Sequence, residues 1–383
     1  MDVTVKYCER NEAVEVALNR ENGGQTITYS SEDVRLSPRG EAAVAGVLPV
    51  AMAAGEDMHV GATLDQIFSH NLSTVQDIYS MWGEGLSQID VQGQSYESSS
   101  TEDLEGRTAI FFSGGVDSFY TFLKHKKDVD ALVFVHGFDL ALGDSELRSA
   151  VSRRLYDIAE ASSKQFIEVE TTLRSVTEQE RFTSQLANWE FSHGSALASV
   201  THLLPGHFDT VYVSATRSYR QLAPWGSHPI LDPLWSRSDL EIIHDGCEAT
   251  RLQKVEAISE SRLALENLRV CWKNPDQAYN CGRCEKCRRT MLELLTVGSL
   301  KHCSTFPETL ESSDIEAIRV REKTVDRHYR EVAERLSTEG RLSGFESAVR
   351  KMLLWSRVRR ITKKFARYLR GSIGTYFPNF VAE

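Results

Sequence analysis

At 383 residues the chain is too long for one ordinary small domain, and 41% hydrophobic with 26% charged residues and only 9 Pro excludes wholesale disorder. Its 44 basic against 54 acidic side chains leave a net charge of −10, which argues against a surface built for bulk nucleic-acid binding. The longest apolar stretch, around Ala42 to Gly55, is short and interrupted by Gly46 and Pro49, so no integral membrane segment is expected. Met1 to Lys6 lack the basic-then-apolar pattern of a secretory signal.

Residues 1–100 read as a small α+β domain with a linker. Residues 3–7, 14–18 and 26–29 alternate apolar and polar side chains, with Gly23-Gly24 as a turn. Residues 64–82 place Leu64, Ile67, Val75, Ile78 and Tyr79 on one helical face. Residues 92–103 are polar and almost free of aliphatics, which is linker composition. From residue 101 to about 300 the rhythm changes. Short apolar runs at 108–112, 131–135, 165–169 and 210–214 alternate with helical patterns at 118–126, 145–162 and 195–204. Such alternation predicts an α/β fold with a parallel sheet covered on both faces, whose ligands bind at the carboxyl ends of the strands. Residues 301–383 predict a helical extension. Within it, residues 350–370 hold nine Lys or Arg and no acid, with Leu354, Val358, Ile361, Phe365 and Tyr368 at helical spacing. That is a basic amphipathic helix, and it can dock on the core, lie on a membrane face or meet nucleic-acid phosphates.

The first core strand runs into Phe111-Phe112-Ser113-Gly114-Gly115-Val116-Asp117-Ser118. Two glycines let the backbone approach a ligand, and the helix that follows opens with Asp and Ser, so exposed N–H groups and hydroxyls can cradle an anion. No Gly-Lys-Ser/Thr follows, so this is not a Walker A loop. A Gly-rich turn capped by Asp and Ser is the bland alternative. Near the end of the same region, Cys271 precedes Cys281-Gly282-Arg283-Cys284-Glu285-Lys286-Cys287. Four soft thiolates at this spacing suit a closed tetrahedral Zn²⁺ site, with an iron–sulfur cluster or bare thiols as competitors. The remaining three Cys, at positions 8, 247 and 303, read as small buried apolar side chains. A metal cluster rather than a disulfide framework fits a reducing, cytoplasmic setting.

Ser-Gly-Gly-Val-Asp-Ser after an apolar strand resembles the pyrophosphate loop of the PP-loop ATP pyrophosphatase superfamily. Together with the cysteine motif it is similar to the 7-cyano-7-deazaguanine synthase family over about residues 105–300. The resemblance implies an ATP-dependent ligase that adenylates a carboxylate or carbonyl acceptor, releases pyrophosphate, and lets a nitrogen nucleophile displace AMP. It implies that Ser113, Gly114, Gly115, Val116 and Ser118 hold the pyrophosphate, that Asp117 positions it or its Mg²⁺, and that the four cysteines hold a structural Zn²⁺. The family's Tyr-Pro-Asp-Cys-Arg-like loop is absent. The matching place, residues 223–235, carries three prolines and two tryptophans instead, so the deazaguanine substrate does not carry over. His228 and Asp232 in that loop are the candidates for orienting a polar substrate or moving a proton.

His136, at the end of the second core strand, is a further nucleotide contact candidate. Ser192, His193, Arg217, Tyr219 and Arg220 are weaker ones, each with a cap or surface-charge alternative. The partners expected are ATP and an acceptor of unknown identity, an anionic surface for residues 350–370, and a second copy if the chain forms a homodimer. Sulfur transfer to a nucleic-acid base and a non-catalytic nucleotide sensor are the other readings.

Overall fold

A computed structural model describes residues 1–20, 23–83, 85–95, 106–178, 188–204, 206, 208–320, 323–340 and 342–376. The chain divides into two compact units, Met1–Lys254 with Asn267–Tyr279, and Val255–Glu266 with Asn280–Glu383.

The first unit is α/β. Its strands are β1 (Asp2–Cys8), β2 (Ala13–Arg20), β3 (Gly23–Ser30), β4 (Met58–Leu64), β5 (Val91–Ser95), β6 (Arg107–Phe111), β7 (Val129–His136), β8 (Gln165–Thr171), β9 (Phe208–Ser214) and β10 (Glu241–Asp245). They form one sheet in the order β10-β9-β6-β7-β8-β3-β2-β1-β4-β5. β10, β9, β6, β7 and β8 run parallel. Pairing then turns antiparallel through β3, β2 and β1, and β4 and β5 are parallel to β1. The mostly parallel α/β sheet expected from the sequence is therefore present.

The boundary expected near residue 100 falls between two strands of this one sheet. β3 joins β8 through Tyr29 opposite Thr171. One apolar core holds Ile27 and Tyr29 together with Val169 and Val200. Tyr29 Oη and Ser199 Oγ lie 2.7 Å apart, and Ser199 Oγ donates to the Ala42 carbonyl at 2.7 Å. Burying a phenol without a partner is costly, and this pair supplies one.

Several elements differ from the sequence reading. The apolar stretch after Arg39 is a helix, Gly40–Ala54, buried from Gly40 to Met52 with Pro49 inside it. Because it is apolar on every side it shows no 3.6-residue periodicity. β4 and β10 were not expected, and the helix expected over residues 64–82 begins at Gln66, with Asp65 capping the N–H groups of Ile67 and Phe68. The expected linker begins as strand β5, and its remainder, residues 96–103, lies outside the described residues.

The second unit contains the helices Glu285–Thr296, Ser312–Glu316, Lys323–Glu339 and Ser343–Tyr376, with no strand among the described residues, and it takes in part of the stretch before residue 301 that the sequence reading gave to the core. No described helix is long and apolar enough to cross a membrane.

Candidate functional site

The loop after β6 sits at the carboxyl edge of the parallel strands, between the ends of β7 and β9. Phe112 N–H donates to the Val133 carbonyl at 2.8 Å and carries the strand one residue further. The chain then reverses at Gly114, whose φ of +71° is a region L side chains avoid. Gly115 is the N-cap of the Val116–Lys124 helix. Ser118 Oγ accepts from Gly115 N–H at 3.0 Å and donates to the Gly115 carbonyl at 3.1 Å. The Val116 side chain is buried in the core, so it can offer a ligand only its N–H. The first-turn N–H groups point out of the helix and lack intrahelical acceptors by construction.

Sequence reasoning missed the cations that surround this loop. Arg269 N–H donates to the Gly114 carbonyl at 2.8 Å, and its Cβ lies 3.7 Å from where Gly114 would carry one. Its side chain is 4% exposed, and Nε and Nη2 have no hydrogen-bond partner among the described residues. A buried guanidinium in that condition is costly unless something else satisfies it. Lys254, 1% exposed, sets Nζ 3.3 Å from Asp117 Oδ1 and donates to the Ala215 carbonyl at the end of β9. Arg251 Nη1 is 3.9 Å from Asp117 Oδ2. Two of these residues belong to the run Arg251 to Lys254 after β10, where the only sequence signal is two cations three residues apart.

The loop 223–235 packs against Gly194 and meets the end of β10 through His244. Gly194 makes this possible, because a Cβ there would stand 2.0 Å from the Gly226 carbonyl oxygen. Gly226 N–H donates to the Glu190 carbonyl at 2.8 Å. The helix Trp189–Leu203 is capped by Asn188, so Ser192 and His193, expected as possible caps, lie inside it. Burial holds the His193 imidazole below its ordinary pKa. His193 meets Trp225 edge-on at 5.4 Å, and the Arg217 guanidinium lies 4.6 Å over the Trp225 ring. Trp235 is fully buried and tilted against Phe68 at 6.0 Å. It is core packing, not a surface for a ring ligand. Tyr219 and Arg220 are exposed.

Asp232, 2% exposed, is the hub of this loop. Its Oδ2 accepts from Ser227 Oγ at 2.6 Å and meets His244 Nδ1 at 2.7 Å, while Oδ1 accepts from His228 N–H at 3.1 Å. Burial opposes charge on His244, yet the hydrogen bonds to Asp232 and Cys247 outweigh it and raise its pKa to about 9. His228 goes the other way, lowered by burial and then by the neighbouring His244 charge. The carboxylate therefore orients a charged imidazole beside a neutral one, which is an acid and a base in one cluster. His244 was not foreseen from the sequence; its signal is its place in the short run Glu241–Asp245 near the carboxyl edge of the parallel strands.

Asp117 and Ser118 thus follow the end of β6, Asp232 with His228 meets the end of β10 through His244, and Lys254 joins Asp117 to Ala215 after β9. His136 does not join them. It is fully buried at the end of β7, its Nε2–H 3.2 Å from the Ala141 carbonyl and Nδ1 3.6 Å from Glu170 Oε2.

The sulfurs of Cys271, Cys281, Cys284 and Cys287 all lie within 4.8 Å of one another, and none of these cysteines is in a disulfide. Cys281 and Cys287 are 3.8 Å apart. A tetrahedron with Zn–S of about 2.3 Å has edges of about 3.8 Å, so the spacing suits one ion. Backbone N–H groups of Cys284 and Cys287 donate to the sulfurs of Cys281 and Cys284 at 3.3 and 3.5 Å, which favours thiolates. The cluster is compatible with zinc. With no open position it would be a structural site.

Comparison with protein-family models, curated proteins and solved structures finds no match to this chain.

Proposed function

We propose that the chain is an ATP-dependent enzyme of PP-loop type, which adenylates a carboxylate or carbonyl acceptor, releases pyrophosphate, and lets a nitrogen nucleophile displace AMP. The observation that carries this reading is Arg269, whose backbone and Cβ lie against Gly114 and whose buried side chain leaves Nε and Nη2 without a partner among the described residues. Phosphate oxygens in the loop are the chemistry that would satisfy it, alongside the first-turn N–H groups of the Val116–Lys124 helix. Lys254 and Arg251 bring two further cations to Asp117, so charge building on a departing pyrophosphate meets fixed counter-charge without reorganisation. Asp117 stays 24% exposed and can offer an oxygen to Mg²⁺, which would neutralise the same leaving group.

The loop 223–235 is the acceptor side in this reading. Neutral His228 can take a proton from the attacking amine, while Asp232 holds His244 charged and in place. Zn²⁺ on Cys271, Cys281, Cys284 and Cys287 would be structural in this reading.

The test follows the phosphates. Radiolabelled ATP with Mg²⁺, ammonium and a panel of carboxylates should give AMP and pyrophosphate together, with labelled acceptor oxygen appearing in AMP. Formation of ADP overturns the reading, and nucleotide binding with no turnover across the panel favours a sensor instead. Sulfur transfer to a nucleic-acid base is a second reading, favoured by one observation: the Cys247 thiol, outside the metal cluster, interacts with His244. Cys247→Ser leaves ammonium-dependent AMP formation intact under the first reading and abolishes turnover under the second.

A further inference from the structure

The Ser343–Tyr376 helix has two unlike faces. Val349, Met352, Leu353 and Ser356 are buried, and the helix packs on Lys323–Glu339 and Ser312–Glu316. On the other side, Leu354, Trp355, Val358 and Ile361 are 60%, 56%, 41% and 59% exposed. At 3.6 residues per turn these four fall within an arc of about 120°. Single exposed apolar side chains are ordinary, whereas four on one stripe mark a surface that meets something. In sequence, Phe365 and Tyr368 continue the same spacing.

Charge narrows what that something is. Residues 350–370 hold nine Lys or Arg and no acid. Arg350, Lys351 and Arg360 are paired with Glu346, Glu316 and Asp326 at 2.8, 2.8 and 2.7 Å. Arg357 and Arg359 are exposed, show no acidic partner among the described residues, and fall on opposite flanks of the apolar stripe. A second copy of this helix would bring cations against cations along the whole stripe. Nucleic-acid phosphates would satisfy the arginines and leave Leu354, Val358 and Ile361 in water. An anionic lipid surface satisfies both, since apolar side chains enter the acyl boundary, a Trp sits at the headgroup level, and flanking arginines meet lipid phosphates.

We propose that the Leu354–Trp355–Val358–Ile361 face of this helix, flanked by Arg357 and Arg359, docks the protein in the plane of an anionic membrane. The helix lies on the surface and does not cross it, in keeping with its charge.

Vesicle flotation of the full chain tests this, with vesicles of phosphatidylglycerol and phosphatidylcholine against phosphatidylcholine alone. Binding is expected to the anionic vesicles, weakening as salt rises. The combined variant Leu354→Ser, Trp355→Ser, Ile361→Ser should lose binding, and Arg357→Glu with Arg359→Glu should weaken it more than about tenfold. All five positions are exposed, so circular dichroism should show folded variants. Failure to float with anionic vesicles at low salt overturns the proposal, as does equal binding to neutral vesicles. So does a dimer, seen by sedimentation, that the apolar variant dissociates. RNA binding that survives the apolar variant while vesicle binding is absent assigns the face to nucleic acid instead.

Discussion

Replacing Arg269 with Met should make the empty protein more stable and the loop unable to hold its anion. Met keeps much of the unbranched stem and removes the guanidinium. The residue is 4% exposed, with Nε and Nη2 unpartnered among the described residues. A buried donor left unsatisfied costs about 1–3 kcal/mol, so relieving two of them, less the lost packing, should gain about 1–3 kcal/mol. Ligand linkage reads the other half: an anion present at 100 times its Kd stabilises the folded state by about 2.7 kcal/mol. Denaturant unfolding of both proteins, with and without pyrophosphate and Mg²⁺, measures both quantities. The parent should gain stability with the ligand, and Arg269→Met should start higher and gain almost nothing. A variant less stable than the parent without ligand would mean the guanidinium serves the fold. A variant that keeps the full ligand increment would separate Arg269 from the anion site. Either result refutes the reasoning.

The two loop glycines should separate by effect. Gly114→Ala should cost about 1–2 kcal/mol of stability because of its left-handed backbone, whereas Gly115→Val should fold and lose nucleotide binding, as equilibrium dialysis would show. Cys284→Ser should drop zinc from about one ion per chain and lower unfolding stability, because structural zinc binding is folding free energy; iron with visible colour in the parent would contradict the assignment. His244 carries a pKa raised to about 9 from 6.5, so its contribution is complete below pH 6.5 and is lost as pH rises through 9. The loss is about 3 kcal/mol, and Asp232→Asn should flatten that part of the stability–pH curve; parallel curves for parent and variant would count against the Asp232–His244 pair.

The readings that came through the sequence are those whose physics is local. A strand, a left-handed glycine and a helix N-terminus lie within eight consecutive residues, so the strand–turn–helix geometry of Ser113–Ser118 is spelled in one place. Two Cys-x-x-Cys steps likewise bring three thiols together through a single turn and the start of the Glu285–Thr296 helix. Alternating strands and helices gave the α/β class for the same reason, since each element's periodicity reports its own burial.

What the tertiary structure decided rests on pairs far apart in sequence. Lys254 meets Asp117 across 137 residues, and Asp65 accepts a hydrogen bond from Ser238 N–H across 173. Neither spacing has a period that could announce it. His136 and His244 each stand at a strand end, yet one is bonded to its own turn and the other to Asp232, so their different surroundings set different chemistry. Trp225 and Trp235 share one loop, but Phe68 claims the second for the core. The Gly40–Ala54 helix hid because burial on every side erases the polar face that periodicity needs. The sequence by itself determined the short-range geometry of loop and cysteines; which charges gather around them depended on strand order, because only the assembled sheet brings the ends of β6, β9 and β10 side by side.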